Sequence, residues 1–204
     1  MKASLKPFII ISETIEYQDG SRLAIVRANL KTPTNEAVAW TYSKTKEGVI
    51  IIPIDEHGAV YIKKEWRLNR RDFVWELPSG WVEHEAPTSD DIAEAANREL
   101  QEEIGLRSNE LTLLTSFYPT NHTSGRFHVF LARHLQRSVL PADDHEHLEI
   151  EKLSFPEAYK RVAKDQIPTA QVLVAFLLAE KYLAACDAKA KSPLDGGHSA
   201  NLAR

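Results

Sequence analysis

The chain has 204 residues, 43% hydrophobic and 26% charged with a formal net charge of −4, which suffices for one well-formed core with a small appendage and argues against two large domains. The single cysteine, Cys186, rules out an internal disulfide, and without an excess of basic residues an anionic ligand must be met locally, by a metal ion or a few arginines. The apolar run at 8–11 is far short of a signal-peptide core and nothing reaches the roughly 18 residues of a membrane span, so a cytoplasmic protein with neither a membrane nor a nucleic-acid partner is expected.

Residues 8–11 and 23–30 are apolar and rich in β-branched side chains, and the Gln-Asp-Gly turn signal at 18–20 between them predicts a hairpin or meander. A third strand is expected at 38–42. Residues 49–52 are apolar throughout, the pattern of a strand buried on both faces. Pro53 and the Asp-Glu-His-Gly run at 55–58 separate them from a strand at 59–63, so the two read as a second hairpin. Segments 111–117 and 127–132 make a further pair across a polar loop, and alternation at 148–151 suggests a last strand.

Three helices are expected. The first is capped by Thr88 or Ser89, carries Asp90 and Asp91 at its positive end, aligns Ile92, Ala96, Leu100 and Ile104 on one stripe and stops at Gly105. The second opens with Ser154 and Glu157 at capping-box spacing and Pro156 in the first turn, and runs to about 164. The third, from 170 to about 185, is the most apolar and should pack on the core; residues beyond 191 read as a frayed tail.

The first helix carries the chemistry. Glu99 and Glu103 lie one turn apart with Glu102 beside them, so three carboxylates share a face while Leu100 and Ile104 point to the core. Like charges at this spacing cost about 0.2–0.5 kcal/mol per pair. Arg98 offsets part of that through its i,i+4 relation to Glu102, and a hard cation such as Mg²⁺ accounts for the rest; a solvated acidic face is the alternative.

Residues Arg98, Glu99, Leu100, Glu102, Glu103, Gly105 and Leu106 match every specified position of an Arg-Glu-apolar-x-Glu-Glu-x-Gly-apolar motif, and a Trp-Glu-Leu-Pro-Ser-Gly loop at 75–80 precedes them. Together these resemble the Nudix hydrolase family. The first half of the family motif departs: Asp90 stands where a glutamate is expected, His84 where the glycine is, and Gly80 lies four residues early. An insertion in 80–90 follows, with Asp90 or Glu85 as stand-ins for the acid. Over roughly residues 20–185, the stretch at 48–53, the Lys-Glu-Trp-Arg run at 64–67, the Ser-Phe-Tyr-Pro run at 116–119 and the closing helix pair look like the ADP-ribose pyrophosphatase branch.

The resemblance implies an α/β (α+β) fold, a mixed β-sheet sandwich between helices with an N-terminal antiparallel sheet. Residues 1–45 would hold the N-terminal strands and a homodimer contact, 46–187 the Nudix domain and 188–204 a flexible tail. The implied activity is Mg²⁺-dependent hydrolysis, with Mn²⁺ as a substitute, of ADP-ribose or a related nucleoside diphosphate sugar to a nucleoside monophosphate and a sugar phosphate. GDP-mannose or another nucleotide sugar is the alternative substrate, and a degenerate domain that senses a nucleotide sugar without cutting it is the alternative of another class. The implied metal ligands are Glu99 and Glu103, then Glu102, with the Ser79 carbonyl completing the set; Glu102 and Glu103 thereby belong to the catalytic group. In the acidic cluster at 143–147, Glu146 is the candidate general base or further ligand, with Asp144 in reserve. Arg67 and Glu76 are implied near the phosphates, and Trp40 or Tyr42 could stack on the base or serve packing. On sequence alone Glu103 belongs to an exposed helix face, so that Glu103→Gln should abolish most turnover and spare the fold.

Overall fold

The structure, a computed structural model, describes residues 5–142 and 147–191. The N-terminal segment forms an antiparallel sheet of β1 (Ile9–Asp19), β2 (Leu23–Lys31) and β3 (Ala37–Thr45), as the patterning predicts. Gly20, at φ +55°, supplies the left-handed residue that reverses the chain between β1 and β2. Along β2, Ala24, Val26, Ala28 and Leu30 are buried, whereas every residue of β1 is exposed.

A four-stranded mixed sheet holds the centre, in the order β7 (Ser79–Trp81), β4 (Gly48–Pro53), β9 (Phe127–Arg137), β8 (Leu106–Phe117). Here β4 runs parallel to β9 and antiparallel to β7. All six residues of β4 are buried, and they alternate between two cores. Ile50 and Ile52 join Val60, Ile62 and Leu77 beneath α2 (Phe155–Ala163) and α3 (Ala170–Lys191). Val49 and Ile51 face Ile92, Ala96 and Leu100 of α1 (Ser89–Glu103). A third sheet, β10 (Glu149–Ser154), β5 (Ala59–Arg67), β6 (Asp72–Glu76), completes the sandwich between helices.

One expectation is corrected. The strands at 49–52 and 59–63 are not partners: the turn at 55–58 forms, with the Asp55 carboxylate accepting from the amides of His57 and Ala59, yet only one bridge, Ile54 to Val60, links the two sides. Both hydrogen-bonding edges of β4 are taken by β7 and β9, so β5 turns away and pairs with β6 and β10. The short strands β6 and β7, hidden in a stretch with Pro78 and Gly80, were not anticipated.

Helix caps follow the sequence. Thr88 caps α1 and exchanges hydrogen bonds with Asp91, and Ser154 and Glu157 form the capping box of α2. Gly105 stops α1 at φ +69°. Helix α3 runs to Lys191, past the expected end near 185. Among the described residues no helix is long and apolar enough to cross a membrane.

Candidate active site

A cleft of about 660 Å³ opens between the third sheet, β7, α1 and the start of α3, and its wall includes Lys63, Glu65, Arg67, Glu76, Ser79, Gly80, Glu99 and Glu102. On β5 the alternation of side chains puts Lys63, Glu65 and Arg67 on one face, and the register sets Glu76 of β6 directly opposite Lys63. Arg67 clasps Glu76 through Nε (2.8 Å) and Nη2 and reaches Glu65 through Nη1 at 3.0 Å. Arg67 and Glu76, both expected near the phosphates, line this cleft.

From α1, Arg98 donates to Glu102 Oε2 at 2.6 Å, to Glu99 Oε1 at 2.5 Å and to the Trp81 carbonyl at 2.9 Å. One guanidinium therefore pins the carboxylate helix to β7. A β-carbon on Gly80 would overlap the Glu99 carboxylate, so a side-chain-free residue is what lets helix and strand approach. Gly80 makes this contact, and residues 83–86 after it lie exposed to solvent.

The carboxylates are not on a solvated face, which corrects the sequence expectation. Glu99 and Glu103 are 7% and 5% exposed. The helix is packed under β7 and against the Lys63 side of β5, so the acidic stripe faces inward. Glu103 accepts from Lys63 Nζ through Oε1 and from the Ser79 amide through Oε2 at 3.0 Å. Burial pushes Glu99 up to about 7 and Glu103 up to about 8, with Arg98 and Lys63 pulling each the other way. Burial would lower Lys63, but Glu103 and Glu65 outweigh it and hold the amine above its ordinary range. Glu103→Gln therefore sets an amide NH2, a donor, against the Lys63 ammonium or the Ser79 N–H, whichever oxygen it replaces. It should destabilise the fold by about 2 kcal/mol, read as a lower urea midpoint.

The two raised carboxyl groups give an unusual pH dependence. Their ordinary value is 4.5. As pH rises from there through about 7 and 8, the folded metal-free protein holds protons that the unfolded chain has released, so stability falls. The paired carboxylates Glu47, Asp55 and Glu83 are shifted down and act in the opposite sense, but only below their ordinary range. Melting of the metal-free protein between pH 5 and 8 should show a declining midpoint, and a rising one would contradict the buried-acid geometry.

Oxygen donors of this kind suit a hard cation. Glu99 Oε2 and Glu102 Oε1 accept no hydrogen bond among the described residues, and both side chains border the cleft. Among the described residues no three acidic or histidine side chains form a ready cation cage. Glu146 and Asp144, candidates for a further ligand, lie outside the described residues. Ser79 meets Glu103 through its N–H. Trp40 is not in this cleft: it is exposed on β3 and packs on Phe8 at 4.8 Å between ring centroids. Asp90 and Glu85 are exposed and absent from the wall, whereas Glu83, paired with Lys46 at 2.6 Å, is part of it.

Sequence reasoning also missed Arg22, at the β1–β2 turn, and Lys63. A signal for Lys63 was present: charges of alternating sign at 63, 65 and 67 mark one face of a strand whose other face carries Val60, Ile62 and Trp66.

This fold, with the Arg98 to Leu106 motif set against a glycine-bearing strand, belongs to a known family. The NUDIX domain model matches residues 44–174, and the chain is a member of that family and a Nudix hydrolase. It is 26% identical to an ADP-ribose pyrophosphatase of Bacillus subtilis (strain 168), over 72% of this chain and 79% of that one. It is 27% identical to the ADP compounds hydrolase NudE of Escherichia coli (strain K12), over 69% of this chain and 67% of that one. An ADP-ribose pyrophosphatase of Mycobacterium tuberculosis (strain ATCC 25618 / H37Rv) is 27% identical over 78% and 75% of the two chains. A crystal structure of an ADP compounds hydrolase superposes with a TM-score of 0.77 at 20% identity, covering 90% of this chain and 97% of that one.

Proposed function

We propose that the protein hydrolyses the pyrophosphate bond of ADP-ribose or a related nucleoside diphosphate sugar, with Mg²⁺, or Mn²⁺ in its place, giving a nucleoside monophosphate and a sugar phosphate. The observation that carries this reading is the cleft itself. Glu99 and Glu102 border it with an uncommitted oxygen each, and Arg22, Arg67 and Arg70 stand along the same wall. A diphosphate carries clustered negative charge, which arginines can grip with paired donors. Glu99 and Glu102 would hold the cation, with Glu103 behind them, the Ser79 backbone carbonyl alongside, and Glu146 or Asp144 as a further ligand or general base. A bound divalent ion would supply charge neutralisation and an activated water. The chain's own part is to orient: Arg67, fixed by Glu76 and Glu65, presents its guanidinium at a set angle, and Arg98 holds the two ligand carboxylates at a set spacing.

Support for the substrate class comes from the relatives, which are named for ADP-ribose and ADP compounds. A panel of nucleoside diphosphate sugars and dinucleotides, tested with Mg²⁺ and Mn²⁺ and read as phosphate after phosphatase coupling, tests it. ADP-ribose should be among the substrates turned over, and a panel in which only GDP-mannose responds would move the assignment to that sugar nucleotide.

The same reading includes a homodimer through the N-terminal sheet. Ile9, Ile10, Ile11, Ile15, Tyr17 and Trp40 are all exposed there, an apolar surface that a monomer rarely leaves in water. In such a dimer Trp40 could reach a base only in the partner's cleft. Light scattering at micromolar concentration should return twice the 23.0 kDa chain mass, and Ile10→Glu should lower it; a monomer mass for the unaltered protein would refute the pairing.

A further inference from the structure

We infer that the Lys63 ammonium is a built-in cation of the carboxylate cleft, standing where a second divalent ion would otherwise be held, and that it limits how many metal ions the site takes. This rests on the metal-dependent reading above. Lys63 is 1% exposed, and its Nζ bridges Glu103 of α1 and Glu65 of β5, the latter at 2.9 Å. Joining carboxylates from two separate elements is the structural task that a divalent ion performs in an acidic site. The ammonium performs it with directed donors.

The consequence is a division among the glutamates. Glu103 is committed on both oxygens, to Lys63 and to the Ser79 amide. Glu99 and Glu102 share the single Arg98 and keep one oxygen each for another partner. In the ion-paired set, Glu65, Glu76, Glu99, Glu102 and Glu103 face Lys63, Arg67 and Arg98. With all five carboxyl groups ionised, the state a bound cation favours, the surplus is two negative charges, which one divalent cation balances. Without Lys63 the surplus would grow: Glu103 would be left to find a cation from solution, and Glu65 would keep only Arg67. Burying an ammonium is costly unless it is fully paired, and here its partners lie on both sides.

The test counts metal. Full-length wild type, Lys63→Met and Lys63→Arg are titrated with Mn²⁺, and the free ion is followed by electron paramagnetic resonance. Lys63→Met should bind one more Mn²⁺ per chain than wild type, with its tightest site strengthened roughly tenfold by loss of the competing charge. Lys63→Arg should match wild type. Equal stoichiometry and affinity in wild type and Lys63→Met would overturn the inference, whereas an absence of Mn²⁺ binding by all three proteins would remove the metal reading itself. A second measurement needs no neutral variant. In wild type carrying ¹⁵N-lysine, the Lys63 ammonium resonance, assigned by its absence from Lys63→Arg, should persist at saturating Mg²⁺; its loss on adding Mg²⁺ would show displacement and overturn the inference.

Discussion

Glu99→Gln should lower kcat for the best nucleoside diphosphate sugar by about 10³-fold while leaving the fold intact, since a divalent ion contributes several kcal/mol of charge stabilisation and each 1.36 kcal/mol is tenfold in rate. Among the acidic residues of α1, Glu99 is the one that both borders the cleft and is nearly buried. The fold should tolerate the amide because burial already pushes the Glu99 carboxyl up to about 7, so a neutral group at this position is electrostatically close to the protonated native state. Arg98 keeps Glu102 and the Trp81 carbonyl as partners after the change. Steady-state kinetics with circular dichroism and thermal melting of the same samples checks this. Activity within about tenfold of wild type at saturating Mg²⁺ would remove Glu99 from the metal site.

Gly80→Val should be nearly as severe, by about 10²-fold in kcat/KM, through position and not through charge. Any β-carbon here meets the Glu99 carboxylate, so either β7 must retreat from α1 or Glu99 must leave its place. A displacement of about 1 Å in a catalytic group is enough to cost two orders of magnitude. Because β7 is also hydrogen-bonded to β4, with Val49 opposite Gly80, retreat of the strand is opposed by the sheet and Glu99 is the group that moves. The signature is weaker Mn²⁺ binding together with lost turnover. A variant that binds Mn²⁺ as wild type does would show that the close approach of β7 to α1 has no part in the site.

Much of this architecture was legible because the relevant residues carry local signals. The buried strand β4 is apolar at each position from Val49 to Ile52, and α1 announces its start through Thr88 and Asp91 and its end through Gly105. Pairing was harder to read. Proximity in sequence suggested that β4 and β5 form a hairpin, and what decides otherwise is competition for the edges of β4 by β7 and β9, which is a property of the assembled sheet. The inward orientation of Glu103 was equally hidden. Its partner Lys63 lies 40 positions away, and a lysine followed by further charged residues ordinarily reads as solvated. Before α1 the acid on the cleft wall is Glu83, which precedes both of the positions favoured from spacing, Glu85 and Asp90.

The most direct measurement is ³¹P nuclear magnetic resonance of ADP-ribose incubated with the wild-type protein and Mg²⁺, alongside Glu99→Gln. Wild type should convert the diphosphate resonances into two phosphomonoester signals, those of AMP and a ribose phosphate, and Glu99→Gln should leave the diphosphate standing over the same interval. Diphosphate signals that persist with wild type and Mg²⁺, or products formed equally fast by Glu99→Gln, would contradict a carboxylate-held metal cleft acting on this linkage.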